Sequence, residues 1–292
     1  MTSARHTTEI MNHPARVEAL RGPVNVLTRA IEPLIDLYRP YVDGLENLPR
    51  DGRFLLVGNH TQSSVEGPLI PHYVRREIGT RVRPLTERMM ANFPRPVGDL
   101  LAAYGAVVGS REGTREMMRH NETILVFPGG GREISKFKGE EYTLQWQGRS
   151  GFALLCVEND YPIVPVALVG GDDVYSNLLS RGNPLANLTM SLSEKIFGRG
   201  DMTPAILHGI GPTLIPRPQR MYLRFAEPID TTKPAAVSTE KWIATVKDRT
   251  QRSLEAAISE LLQLRRDDPY RELNPLAWRN ALEPGSPAPT SA

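Results

Sequence analysis

Phe54-Leu55-Leu56-Val57-Gly58-Asn59-His60-Thr61-Gln62-Ser63-Ser64-Val65-Glu66-Gly67 decides how this chain is read. Four consecutive apolar residues closed by Gly58-Asn59 predict a buried strand that hands a histidine, then a carboxylate, to the following turn. An imidazole titrates near neutral pH and can take a proton from a hydroxyl. A carboxylate on its second nitrogen fixes the tautomer and stabilises the imidazolium. With five residues between them, His60 and Glu66 meet if the loop folds tightly into a helix. The same spacing suits an ordinary helix start capped by Asn59 or by Ser63 and Ser64. Spacing alone leaves these two readings level.

Downstream the signals alternate. Val82 to Leu85 reads as a strand, Val97 to Tyr104 as a helix, Ala106-Val107-Val108 as a strand and Arg111 to Arg119 as a helix. Thr123 to Phe127 reads as a buried strand, Gly148 to Val157 as a helix and Ile163 to Leu168 as a further strand. This alternation predicts an α/β fold, a mostly parallel central sheet flanked by helices, with its chemistry at the carboxyl ends of the strands. His60, Arg111 and Arg132 all follow such strands.

Three regions are expected. Residues 1–44 form an N-terminal arm, loosely ordered up to about Gly22. From Val24 to Tyr38 the arm has Val24, Leu27, Ile31, Leu34, Ile35 and Tyr38 at helical spacing, with a kink at Pro33. This amphipathic face either packs on the core or lies on a membrane. Residues 45–270 form the main domain, with an irregular insertion at Tyr175 to Gly200, late strands at Ile206 and Tyr222 to Phe225, and a C-terminal helix from Trp242 to Leu264. Residues 271–292 are expected to be a largely disordered tail, rich in Pro, Ser and Ala from Glu283 onward.

The 292 residues suffice for one large domain, and a formal charge of +2 with no basic block among aromatics argues against a nucleic-acid partner. Cys156 is the single cysteine, so there is no disulfide framework and no cysteine-based metal site. It reads as a small buried residue in a reducing, cytoplasmic setting. No apolar run has transmembrane length and the N-terminus lacks the apolar core of a signal peptide, so a soluble or peripheral protein is expected. His72 and His120 have no carboxylate or cysteine at ligand spacing and read as packing or surface residues, with no metal implied.

Two further strand ends carry motifs. Phe127-Pro128-Gly129-Gly130-Gly131-Arg132-Glu133 places three glycines and an arginine directly after a buried strand, where backbone amides and a guanidinium can face a phosphate. It lacks the Lys-Ser or Lys-Thr of a nucleotide P-loop, and Ile134 takes the place of the third glycine of a dinucleotide fingerprint. A plain tight turn needs fewer glycines than three. Gly105-Ala106-Val107-Val108-Gly109-Ser110-Arg111 repeats the pattern, although Arg111 taken singly is a solvated helix-start arginine. Gly148-Arg149-Ser150-Gly151 misses the spacing of a serine hydrolase nucleophile turn.

In order, spacing and strand context, His60 with Glu66, Gly105 to Arg111, Phe127 to Arg132 and Val164-Pro165 resemble the ordered blocks of the glycerolipid O-acyltransferase superfamily, the glycerol-phosphate and lysophosphatidate acyltransferase type. The resemblance spans roughly Leu45 to Ile229 and implies a glycerol-3-phosphate acyltransferase-like fold. Two departures stand out: the family's His-x4-Asp is here His-x5-Glu, with Val65 at the usual carboxylate position, and Gly129 replaces the family's Glu. Both, with Trp146, Arg149 and Gly151-Phe152-Ala153, look like the branch of phytyl ester synthases and related diacylglycerol acyltransferases.

The expected function is transfer of a fatty acyl group from an acyl thioester, on CoA or acyl carrier protein, to a hydroxyl of a glycerolipid or other lipid alcohol. His60 is the general base and Glu66 orients it. Arg111, Gly129, Gly130, Gly131 and Arg132 would hold a phosphate of the donor or acceptor, with Glu133 and Arg149 lining the same face. No cofactor beyond the thioester co-substrate is implied. The expected location is cytoplasmic, with the protein peripherally bound to a membrane surface. The alternatives are a non-catalytic lipid-binding protein of the same fold, a lysophosphatidate acyltransferase in the strict sense and, more weakly, a serine esterase.

Overall fold

The computed structural model describes residues 13–87, 94–181, 183, 184, 191 and 207–285. Its strands are β1 (Tyr41–Asp43), β2 (Leu55–Gly58), β3 (Val82–Thr86), β4 (Val107–Val108), β5 (Thr123–Val126), β6 (Ile163–Val169), β7 (Ser176–Asn177), β8 (Leu207–His208) and β9 (Tyr222–Phe225). Its helices are α1 (Ala15–Leu37), α2 (Glu66–Ile78), α3 (Arg95–Tyr104), α4 (Arg111–Arg119), the single turn α5 (Gly131–Ile134), α6 (Gly151–Glu158) and α7 (Thr239–Asp267).

Seven strands form one sheet in the order β1-β9-β6-β2-β5-β3-β4. The run from β6 to β4 is parallel throughout, and β9, itself parallel to β1, joins β6 antiparallel. A parallel sheet is covered on both faces, so its central strands are apolar without alternation. Every residue of Ile163–Val169 is buried, as is every residue of Leu55–Gly58. On one face Leu55, Val57, Ile163 and Ala167 meet Phe152, Cys156, Leu254 and Leu261 of α6 and α7. On the other, Leu56, Val164 and Leu168 belong to a cluster with Leu69, Ile70 and Val74 of α2. Burial pushes the Cys156 thiol well above its ordinary range, which leaves it an inert packing group.

Three expectations are corrected. Residues 15–22 are not loose, while residues 1–12 lie outside the described residues: α1 begins at Ala15, because Val17, Leu20 and Val24 repeat at helical spacing and pack on Ala102, Ala103 and Tyr104 of α3. The helix expected from Gly148 starts at Gly151, since Gln147 and Gly148 have φ of 46° and 76°, left-handed values that stop a right-handed helix. The segment from residue 271 is packed well into the expected tail. Tyr270, Ala277 and Ala281 are buried together, and Asp268, paired with Arg220, accepts the Leu282 amide. The other expected helices and strands are present with ends shifted by a few residues, and the sheet begins earlier than residue 45, at β1. Ile206, most of Tyr175 to Gly200 and residues 286–292 lie outside the described residues.

Beyond the last β2–β6 pair, Asn59 continues the ladder with its side chain. Its amide donates to Leu168 O at 2.9 Å and its carbonyl accepts from Leu168 N at 2.8 Å. The side chain is buried, so Asn59→Ala strands both Leu168 backbone groups. The substitution is expected to lower stability by about 2–4 kcal/mol in urea unfolding.

Candidate active site

The strand order places β2 beside β5, so the loop carrying His60 and the Phe127 to Glu133 loop leave the same edge as neighbours. The rings of His60 and Phe127 stack at 4.5 Å. Glu66 is the first residue of α2, where the helix end favours a negative charge, and it is fully buried. Its carboxylate takes the Nδ1 of His60, the Thr61 amide at 3.0 Å and the Thr61 hydroxyl at 2.6 Å. Ser64, with a left-handed φ of 55°, turns the chain between the two partners, so the longer His-x5-Glu loop still closes. Val65 sits half-buried in the apolar cluster beside α2. With Nδ1 held by Glu66, Nε2 is the ring nitrogen available to a substrate.

The peptide of His60 is fixed as firmly as its ring. Glu133 accepts the His60 N–H at 2.8 Å and the Gln145 N–H at 2.8 Å. Lys136 Nζ donates to His60 O at 3.0 Å and to Asp172 at 2.8 Å. Asp172 also accepts the amides of Gln62 and Tyr142. Glu133, Lys136 and Asp172 are all buried. Burial raises the pKa of Glu133, opposed first by the His60 N–H and then by the Lys136 charge and the Gln145 N–H. Glu133 is thus a support for His60, not the substrate-lining residue expected.

The three glycines each serve the loop differently. A Cβ on Gly129 would lie 2.2 Å from the Glu133 carboxyl carbon, so the Glu133 side chain occupies the space a residue there would need. Gly130 has φ of 57°, and Gly131 donates its N–H to Glu87 Oε1 at 2.8 Å. Arg149 braces the same loop by donating to Pro128 O at 2.9 Å and Gly129 O at 3.1 Å.

A cavity of about 820 Å³ opens beside His60. This is a size suited to a ligand well beyond a small metabolite. Its wall is mostly apolar, formed by Val24, Leu27 and Ile31 of α1, Leu100, Leu101 and Tyr104 of α3, and Leu85 and Val126 of the sheet. Among the lining residues that carry polar side chains are His60, Ser64, Glu87 and Arg149, and Gly130 and Gly131 line it too.

Arg111 and Arg132 are not part of this lining, whereas Gly130, Gly131 and Arg149 are. Arg111 follows β4, which is three strands from β2. At a spacing of about 4.8 Å per strand, that is roughly 14 Å from the His60 loop. Arg111 is exposed, at the start of α4 capped by Ser110. Sequence reasoning did not single out Glu87, Lys136 or Asp172. Asp172 follows β6 in Gly170-Gly171-Asp172, the same strand-end signal that marked His60. Lys136 carries no local signal.

Residues 39–169 match the Acyltransferase family. Over that stretch, a little under half of its length, the chain is similar to acyltransferases. It is 27% identical over 253 residues to phytyl ester synthase 1, chloroplastic, of Arabidopsis thaliana, covering 80% of this chain and 35% of that protein. An uncharacterized protein of Mycobacterium tuberculosis is 27% identical over 238 residues, covering 79% of this chain and 63% of that one. This chain therefore spans only about a third of the plant protein and under two thirds of the mycobacterial one. Among solved structures, the 1-acyl-sn-glycerophosphate (LPA) acyltransferase PlsC from Thermotoga maritima aligns with 87% of this chain and 88% of its own, at 18% identity and a TM-score of 0.47.

Removing the Lys136 ammonium takes from the buried Asp172 its ion-pair partner. Lys136→Met is expected to cost about 3–5 kcal/mol in denaturant unfolding. Adding Asp172→Asn to that variant restores part of the loss, because the stranded charge is gone.

Proposed function

We propose that this protein moves a fatty acyl group from an acyl thioester, on CoA or acyl carrier protein, to a hydroxyl of a lipid acceptor. The observation that carries the reading is His60, locked to Glu66 through Nδ1, in the wall of a large apolar cavity. The acceptor oxygen attacks the thioester carbonyl as Nε2 takes its proton. A C–O bond forms, the C–S bond breaks, and the proton passes to the departing thiolate. Glu66 holds the imidazolium in the meantime, and no acyl-enzyme is needed. The apolar wall between α1, α3 and the sheet suits an acyl chain. No dissociable cofactor takes part in this scheme.

The acceptor is reached at a membrane surface. Among the described residues no helix is long and apolar enough to cross a membrane. The outer side of α1 instead exposes Val26, Leu27, Leu34 and Leu37, which are 53–69% accessible, and Leu27 also lines the cavity. An amphipathic helix of this kind lies in the interface with its apolar face among the acyl chains. We place the protein in the cytoplasm, bound peripherally.

The direct test incubates purified protein with labelled long-chain acyl-CoA and a panel of lipid alcohols, then identifies the ester. His60→Ala is expected to lower turnover by ~10²–10⁴ with its circular dichroism unchanged. Glu66→Gln should lower it by ~10² or more with little change in the Michaelis constants. Near-parental turnover in a folded His60→Ala variant would overturn the mechanism. Acyl-CoA binding with no ester formed would instead favour the lipid-binding alternative.

Membrane contact is tested by liposome flotation of a Val26→Ser, Leu34→Ser, Leu37→Ser variant, three side chains that do not line the cavity. Bound fraction should fall about tenfold or more, each change removing apolar surface worth over ~1 kcal/mol if fully buried. Flotation equal to the parent's would move the contact off α1.

A further inference from the structure

The glycine loop has the elements of an anion seat: a glycine with a left-handed φ, an amide N–H that donates to a group outside the loop and a guanidinium alongside. That seat is filled by a carboxylate of the chain itself. Glu87, immediately after β3, accepts the Gly131 N–H at 2.8 Å. Its Oε1 lies 2.5 Å, and Arg149 Nη1 3.3 Å, from the point where a Cβ on Gly130 would stand. Only glycine at 130 admits the carboxylate this close. Glu87, Gly130, Gly131, Arg149 and His60 line the same cavity, so an acceptor that brings its hydroxyl to His60 shares that cavity with the carboxylate.

We propose that Glu87 is a specificity-determining residue. Docked on the Gly131 amide, it takes the position of an anionic group and restricts the acceptor to an uncharged lipid alcohol. The proposal rests on the acyl-transfer reading above. A phosphate monoester arriving at this wall meets a fixed negative charge, and the amide that would have bound it is already engaged. Like charges brought together in a partly desolvated site disfavour the complex strongly. An acylglycerol or long-chain alcohol brings no charge and can lie in the apolar part of the cavity with its hydroxyl toward His60.

The test compares monoacylglycerol with lysophosphatidate of the same acyl chain as acceptors for labelled acyl-CoA. The parent should prefer the neutral acceptor by a factor on the order of 10² or more in kcat/KM. Glu87→Gln keeps a carbonyl oxygen for the Gly131 N–H but removes the charge, and should narrow that ratio about tenfold or more. A parent that uses lysophosphatidate as well as monoacylglycerol overturns the proposal, as does an unchanged ratio in Glu87→Gln. A second arm needs no turnover. Glu87→Ala vacates the seat, so inorganic phosphate should raise its Tm by about 2 °C or more and leave the parent's unmoved. No phosphate effect on the folded Ala variant overturns the proposal, whereas that effect without transfer to any acceptor sinks the acyl-transfer reading and leaves the assignment of Glu87 standing.

Discussion

The peptide unit of His60 is gripped from both ends by buried charges, Glu133 on its N–H and Lys136 on its carbonyl. An ionised side chain out of reach of water must be paired and hydrogen-bonded, or it destabilises the fold by several kcal/mol. Here each charge finds its partners in a different loop. Glu133 and Lys136 follow β5, Asp172 follows β6, and each of the three holds a backbone group of the loop after β2. Three strand ends are thereby locked to one another, and the position of the imidazole inherits that rigidity. Glu66 has only to set the tautomer of a ring that is already in place.

The opposite wall of the site is built differently. α1 and α3 meet through a small cluster around Val17, Val24 and Ala103, and beyond it α1 turns apolar side chains both into the cavity and outward. Ion pairs of Arg16 with Asp99 and of Arg75 with Glu32 add to that contact and tie α1 to α3 and to α2. A polar floor tied together by buried side chains thus faces an apolar wall that α1 and α3 form with the sheet.

Much of the architecture is legible because a covered parallel sheet leaves a local trace, runs such as Phe54 to Val57 and Ile163 to Val169 that are apolar without alternation. The histidine and its carboxylate are legible for the same reason, since both lie in one short loop at the end of such a run. What escapes is every feature that depends on which strand lies beside which. Arg111 and Arg132 follow strands with the same local signature, but Arg111 leaves the outermost strand and lies outside the cavity lining. Conversely, Glu87, Lys136 and Asp172 act across loops far apart in sequence, and Lys136 reads locally as one more surface lysine. The start of α1 is hidden because its first turns, taken alone, are polar. Their few apolar positions gain meaning only against α3.

Gly129 and Glu133 share one volume. The carboxyl of Glu133 lies where the side chain of residue 129 would begin, at a separation no two atoms can tolerate. The two positions are therefore not independent variables. Any side chain larger than hydrogen at 129 evicts the carboxylate that holds the His60 amide, and the evicting group must then supply that hydrogen bond itself. In chains built on this plan the two positions should change together, one carboxylate being exchanged between them so that the count in this corner stays at one.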